Sequence, residues 1–385
     1  MSFSLQFVLV LIGTFMIALV LTPLVRLFSF KIDAVDYPNA RRINTKPMPS
    51  AGGLSIVIAF SIATLVFIPM LTSTTAPIKS YLSYTLPVVG AGWIIALTGL
   101  IDDVKELSAK KKMIGILLAA SLVWFLTDFR LNDFKIPFGG PLLHFEPWLS
   151  YLLTVIWIVA ITNAVNLIDG LDGLVSGVSI ISLVTMGIVS YFFLPVPNLF
   201  LTMTIFVLVA SIAGFFPFNY HPAILYLGDT GALFIGFMIS VLSLQGLKNA
   251  TAVAVVTPMI ILGVPITDTF LAIVRRTLSG QKFYTPDKRH LHHRLLSLGL
   301  THRGTVLVIY GISMIFAMIS LLLNVSSRIG GTLLIIGLLF GVELLVELIG
   351  VLGPNRTPLL NILRFIGNSA YREEIRTKFR NRKKK

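Results

Sequence analysis

Eleven apolar stretches, each able to cross a hydrocarbon core of about 30 Å as a helix, run along this 385-residue chain. They lie near 4–28, 51–71, 85–101, 113–127, 149–166, 174–194, 199–217, 231–247, 251–274, 304–324 and 329–350, and nearly every ionisable residue falls between them. With 55% hydrophobic and only 12% charged residues, the chain has too little polar surface to face water, so its solvent is lipid. The expected fold is an all-α integral membrane protein with a polytopic domain over 1–352 and a basic tail over 353–385. The first stretch lacks a basic leader and a small-residue cleavage site, so it reads as a retained span.

Threading eleven spans places 26 of the 31 Lys and Arg on one side, leaving Lys79, Arg130, Lys135, Lys248 and Arg328 on the other. By the positive-inside rule the rich side is cytoplasmic, which puts the N-terminus outside and the C-terminus inside. The net charge of +14 is therefore one-sided, and the tail ending in Arg380, Arg382 and Lys383–Lys385 suits anionic headgroups. Nucleic-acid binding is disfavoured, because no aromatic platform or DNA-binding motif accompanies the cations. The chain has no cysteine, so no disulfide, thiolate metal site or cysteine nucleophile enters.

The carboxylates gather at span ends on the cytoplasmic side, an arrangement that is costly unless a cation or a hydrogen-bonding substrate compensates it. Asp102-Asp103 follow Gly99 at the end of the third span. Both can face one site only where the helix stops, and two anions at a helix C-terminus oppose its dipole, so a function is expected. Asn163, Asn166, Asp169 and Asp172 recur every three residues at the end of the fifth span. That stripe would drift around a straight helix, and Gly170 and Gly173 let the backbone turn it towards one site. Asn219 precedes the segment from Tyr226 through Gly228-Asp229-Thr230-Gly231, which opens the next span. A plain N-cap accounts for Asp229 alone, but oxygen ligands from several segments suit Mg²⁺, and a helix N-terminus suits an anionic substrate. A basic loop carries Lys288, Arg289, His290, His292, His293 and Arg294, a set made for phosphate, and without cysteines zinc is disfavoured. Asp268 is an intramembrane carboxylate and hence a functional candidate, while Glu343 and Glu347 read as structural.

Carboxylates, a divalent cation and phosphate-binding cations at a membrane surface point to phosphoryl transfer between a soluble molecule and a lipid. A transporter is the competing class, but it would place polar groups at the bilayer midplane and show repeated halves. Here the ionisable groups cluster at one face and no repeat is present, which favours an enzyme.

These motifs, in this order, resemble the polyprenyl-phosphate N-acetylhexosamine-1-phosphate transferases (glycosyltransferase family 4). The matching stretches are Asp36-Tyr-Pro-Asn-Ala-Arg-Arg with Pro49-Ser-Ala-Gly52-Gly53; Asp102-Asp103; Asn163-x-x-Asn166-Leu-x-Asp169-Gly-Leu-Asp172-Gly; Phe218-Asn219 through Gly228-Asp229-Thr-Gly; and His290-x-His292-His293. The histidine motif is similar to the branch that transfers N-acetylglucosamine-1-phosphate and starts teichoic acid, O-antigen and related glycans. The alternative branch makes the first lipid intermediate of peptidoglycan from an N-acetylmuramoyl-pentapeptide donor.

The resemblance implies a bacterial plasma-membrane enzyme, multi-pass, with its site on the cytoplasmic face. Its partners would be a UDP-sugar donor and undecaprenyl phosphate, its cofactor Mg²⁺ with Mn²⁺ as a substitute, and its assembly a homodimer. It implies Asp229 and Asn166 as metal ligands, with Asp102 and Asp103 deprotonating or orienting the lipid phosphate. Asp169, Gly170, Leu171 and Asp172 would belong to the nucleoside-binding segment, with Asn219 and Tyr226 flanking the uracil, and Asn163 is expected to bind substrate. Lys46, Lys112, Arg289, His290, His292 and His293 would serve the phosphate or sugar end, and Asp268, from its place inside a span, is expected to bind substrate too. Two positions depart from the family pattern: Asn44, where relatives often carry histidine, and Ile116, where many carry glutamine.

Overall fold

The computed structural model describes residues 3–38, 46–72, 78–135, 141–194, 199–247, 252–278, 280, 290–351, 357–368 and 371–373. The helices are α1 (Phe3–Lys31), α2 (Gly53–Ile62), α3 (Ile68–Thr72), α4 (Ile78–Lys105), α5 (Ala109–Leu126), α6 (Pro147–Leu167), α7 (Leu174–Phe192) and α8 (Leu199–Asn219). They continue as α9 (Gly228–Leu247), α10 (Ala252–Ile261), α11 (Gly263–Leu278), α12 (Leu291–Ser297), α13 (His302–Val325), α14 (Arg328–Ile349) and α15 (Pro358–Gly367). Two short antiparallel pairs complete the described structure: β1 (Val35–Asp36) with β2 (Met48–Pro49), and β3 (Asp133–Lys135) with β4 (Leu142–His144).

The chain is a multi-pass all-α membrane protein. Among the described residues, eight helices are long and apolar enough to cross a membrane: α1, α2 with its continuation, α4, α6, α7, α8, α13 and α14. The other three apolar stretches of the sequence are occupied by α5, by α9, and by α10 and α11 together. α5 opens on Lys110–Lys112, and the α10–α11 stretch is broken at Leu262, between Pro258 and Pro265. α2 and α3 are joined by a π-helical turn, Ala63–Phe67. Such a turn displaces carbonyls from the regular ladder, and the Tyr81 hydroxyl donates to the Thr64 carbonyl at 3.0 Å.

α9 is the axis of the bundle. Every residue from Thr230 to Leu244 is buried, and α4 and α6 pack along its two sides, with α2, α7 and α10 also in contact. Small residues make this approach close: Gly236 lies against Thr162 of α6, and the Trp157 indole donates to the Ser240 carbonyl at 3.1 Å and to the Ser243 hydroxyl at 3.0 Å. α1 and α14 lie outermost and present Leu24, Leu27, Ile329 and Leu333 outward, as lipid-facing helices must.

Two expectations change in the structure. α4 does not stop near Gly99 but runs on to Lys105, so Asp102 and Asp103 occupy its last turn and their side chains diverge. The sequence from 353 onwards is not only a tail, since it carries α15.

Candidate active site

Three connections converge on the N-terminus of α9. The stretch between β2 and α2 is strapped to the segment before α9: the Tyr226 amide donates to the Pro49 carbonyl at 2.9 Å, the Gly52 amide to the Tyr226 carbonyl at 3.0 Å, and the Gly53 amide to the Leu227 carbonyl at 2.9 Å. The last turn of α4 lies alongside, and the end of α6 completes the cluster.

At its centre the Lys112 ammonium, from the first turn of α5, bridges two carboxylates. It pairs with Asp102 Oδ2 at 2.6 Å and with Asp229 Oδ2. Asn166 Nδ2 donates to Asp229 Oδ1 at 3.1 Å, while Asp102 Oδ1 accepts the Leu107 amide at 2.6 Å. Asp102, Lys112, Asn166 and Asp229 thus form one constellation drawn from four helices. Asp103 turns the other way. It accepts the amides of Asp229 at 2.8 Å and Thr230 at 3.0 Å and the Thr230 hydroxyl at 2.5 Å, and so caps α9 from a neighbouring helix.

Asp169 lies in the turn between α6 and α7 beside this group. Its side chain reaches water, yet it is recessed among protein atoms. That recess, with Asp229, Asp172 and Asp36 around it, pushes its carboxyl up to about 8. No hydrogen bond engages the Asp169 carboxylate or the Asn166 side-chain Oδ1 among the described residues. The donors at hand are carboxylate and carboxamide oxygens, the set that suits a hard divalent cation, and Lys112 already places one positive charge between two of them.

The rest of the turn is built for position. Asp172 Oδ2 accepts from His221 Nδ1 at 2.7 Å and from the Ala223 amide at 3.1 Å, and the Asp172 amide donates to His302 Nε2 at 3.0 Å. Asn219 is buried, with its carbonyl oxygen accepting from the Gly173 amide and Ser176 hydroxyl and its amide donating to the Leu225 carbonyl. Those bonds turn Asn219 inward to cap α7. Asn163 donates to the Val159 carbonyl of its own helix at 2.7 Å, and Leu171 is core. Gly173 has φ of +76°, as a left-handed entry to α7 requires. Gly170 serves a different purpose, because a Cβ there would collide with the His292 ring.

That contact joins the histidine segment to the turn. Asp268 of α11 accepts from His290 Nδ1 at 2.9 Å and from the Leu291 amide at 2.8 Å, which caps α12 and fixes the segment. His292 is buried, and burial with His293 beside it lowers its imidazole to about 3, so it stays neutral and packs instead of pairing with an anion. Lys46 is exposed next to β2, Tyr226 is half-buried, and Arg289 lies outside the described residues. His221 and His302, which hold Asp172, carried no signal of their own: one sits in a loop motif as a lone histidine, the other opens an apolar span.

Residues 85–247, which contain the whole constellation, match the model of glycosyl transferase family 4. The chain is 40% identical over 355 residues, 92% of its own length and 95% of the relative's, to a probable undecaprenyl-phosphate N-acetylglucosaminyl 1-phosphate transferase of Bacillus subtilis. The chain belongs to glycosyl transferase family 4. Within the family it is also similar to a decaprenyl-phosphate N-acetylglucosaminephosphotransferase of Mycolicibacterium smegmatis, at 34% identity over 74% of each chain. An undecaprenyl-phosphate alpha-N-acetylglucosaminyl 1-phosphate transferase of Salmonella typhimurium is 27% identical over 78% of this chain and 79% of the relative.

Proposed function

We propose that this family 4 enzyme transfers N-acetylglucosamine-1-phosphate from UDP-N-acetylglucosamine to undecaprenyl phosphate, releasing UMP. An oxygen of the lipid phosphate attacks the β-phosphorus, the bond from that phosphorus to the bridging oxygen breaks, and UMP leaves with the electron pair. The 40% identity to the Bacillus subtilis relative over nearly the whole of both chains carries this reading, and the Lys112–Asp102–Asp229–Asn166 constellation supports it.

The lipid phosphate is largely dianionic near neutrality, since the second pKa of a phosphate monoester is about 6, so charge screening matters more than a base. Lys112 supplies one screening charge at a fixed place. Asp229 and Asn166 would hold Mg²⁺, which neutralises charge on the transferring phosphoryl group. Asp102 holds Lys112, and Asp103 holds the α9 N-terminus that presents Asp229. The donor would enter over Asp169, Gly170 and Tyr226, with Lys46 at the rim.

The same reading takes the chain as crossing the bacterial plasma membrane eleven times, N-terminus outside, with the site on the cytoplasmic face. The grouping of 26 of 31 cations on one side supports that orientation. A homodimer rests on the family resemblance alone.

The test is UMP release by purified protein in detergent with undecaprenyl phosphate, with and without Mg²⁺. UDP-N-acetylglucosamine is the donor in one reaction and UDP-N-acetylmuramoyl-pentapeptide in the other. Release from the first alone, abolished by chelator and by Asp229→Ala, is expected. Release from the second alone would move the enzyme to the peptidoglycan branch.

A further inference from the structure

α15 begins at a defined place. Both oxygens of Glu347, which is 4% exposed near the end of α14, accept backbone amides at its start: Leu359 at 2.7 Å and Leu360 at 2.6 Å. A buried carboxylate thus caps this helix from the last membrane span, and the helix cannot drift away from the end of that span. The same end of α14 is marked as the polar boundary of the bundle, because Arg294 donates to the Ile349 carbonyl at 3.0 Å and Arg275 to the Val351 carbonyl at 3.1 Å.

The helix is two-faced. Leu359, Leu360, Ile362, Leu363, Phe365 and Ile366 cover one side, and Asn361 and Arg364 share the other. Asn361 is engaged there by the Tyr371 hydroxyl at 3.2 Å, and Arg372 donates to the Ile366 carbonyl at 2.9 Å. Leu359 and Leu360 are half-buried, but among the described residues the apolar side beyond them is open: Ile362 is 56% exposed and Ile366 66%. From Arg364 onwards the sequence carries nine Lys and Arg against two Glu. An apolar face at the depth of the span ends, flanked by cations, is complementary to one medium, the acyl–headgroup boundary of an anionic leaflet.

We infer that α15 lies in the plane of the membrane interface as an anchor, clamped at its N-terminus by Glu347, with its apolar face in the acyl boundary and the basic tail on anionic headgroups.

The absence of cysteine makes a direct test simple. Single cysteines at Ile362, Ile366 and Arg364 in the full chain would be spin-labelled and reconstituted into vesicles of phosphatidylcholine with phosphatidylglycerol in both leaflets. Orientation then does not enter, and the readout is independent of enzymatic activity. Relaxation by oxygen should exceed relaxation by an aqueous nickel complex severalfold at 362 and 366, with the reverse at 364. Replacing phosphatidylglycerol by phosphatidylcholine, or introducing Glu347→Gln, should move 362 and 366 towards water. Equal aqueous access at all three positions would overturn the anchor. Spin–spin broadening at 362 and 366 that disappears on dilution with unlabelled protein would overturn it in favour of a second copy covering the face. Insensitivity to lipid charge would overturn the part assigned to the tail.

Discussion

Asp103 Oδ2 accepts both the amide and the hydroxyl of Thr230, at 3.0 Å and 2.5 Å, so a residue expected to deprotonate or orient the lipid phosphate also caps the start of a helix. Asp103→Ala strips three donors of their acceptor and should destabilise the protein by about 1–3 kcal/mol, the cost of leaving buried donors unpaired. Thermal unfolding followed by intrinsic fluorescence in detergent should show a clear drop, with Asp103→Asn milder. A melting curve identical to wild type, with activity gone, would return Asp103 to the chemistry.

Lys112 is shared between Asp102 and Asp229, so under the proposed function it would both meet phosphate and compete with the metal. Lys112→Gln should lower the rate of UMP release by about 100-fold, the scale of removing one preorganised charge or donor. It should also lower, not raise, the Mg²⁺ concentration giving half-maximal rate. A rise in that concentration would mean that Lys112 assists the metal.

The raised carboxyl of Asp169 sets a pH dependence of stability. A carboxyl held protonated up to about 8 in the folded protein but released near 4 when unfolded favours folding at low pH, and that contribution is lost as pH climbs from about 4 to 8. In metal-free buffer the melting temperature should therefore decline from pH 5 to pH 8.5 and then level. Asp169→Asn should flatten this part of the curve, and an unchanged slope in the variant would refute the assignment.

Gly170 leaves room for the His292 ring. Gly170→Ala should cut activity about tenfold or more through displacement of the histidine segment, within the range expected when a supporting contact shifts catalytic groups by about 1 Å. His292→Ala should restore part of it, so the double variant loses less than the two single losses combined. Strictly additive losses would show that the ring and the glycine act separately.

Much of this was readable from residue order. The apolar stretches anticipated most of the helices, and the polar segments at 163–172 and 228–231 are among those that the structure brings together around Asp229. Direction was not readable. Adjacent carboxylates such as Asp102 and Asp103 look equivalent in a sequence, yet about 100° of helical rotation sends one to Lys112 and the other to the amides of α9. Asn219 and Asp268 read as substrate-binding in the sequence, and the structure shows them capping α7 and α12, contacts that leave no local spacing to detect because each cap comes from a different helix. Glu347 fits the same rule, and its structural reading holds.

Asp103 and Asp229 are separated by 126 residues, and a ribosome delivers them in that order. Until α9 emerges, α4 carries at its end a carboxylate whose donors have not yet been synthesised. The final seat of that end of α4 therefore requires α9 to be made and packed against α4 and α6. A chain in which the central helix failed to pack would keep the Asp103 carboxylate without its Asp229 and Thr230 donors.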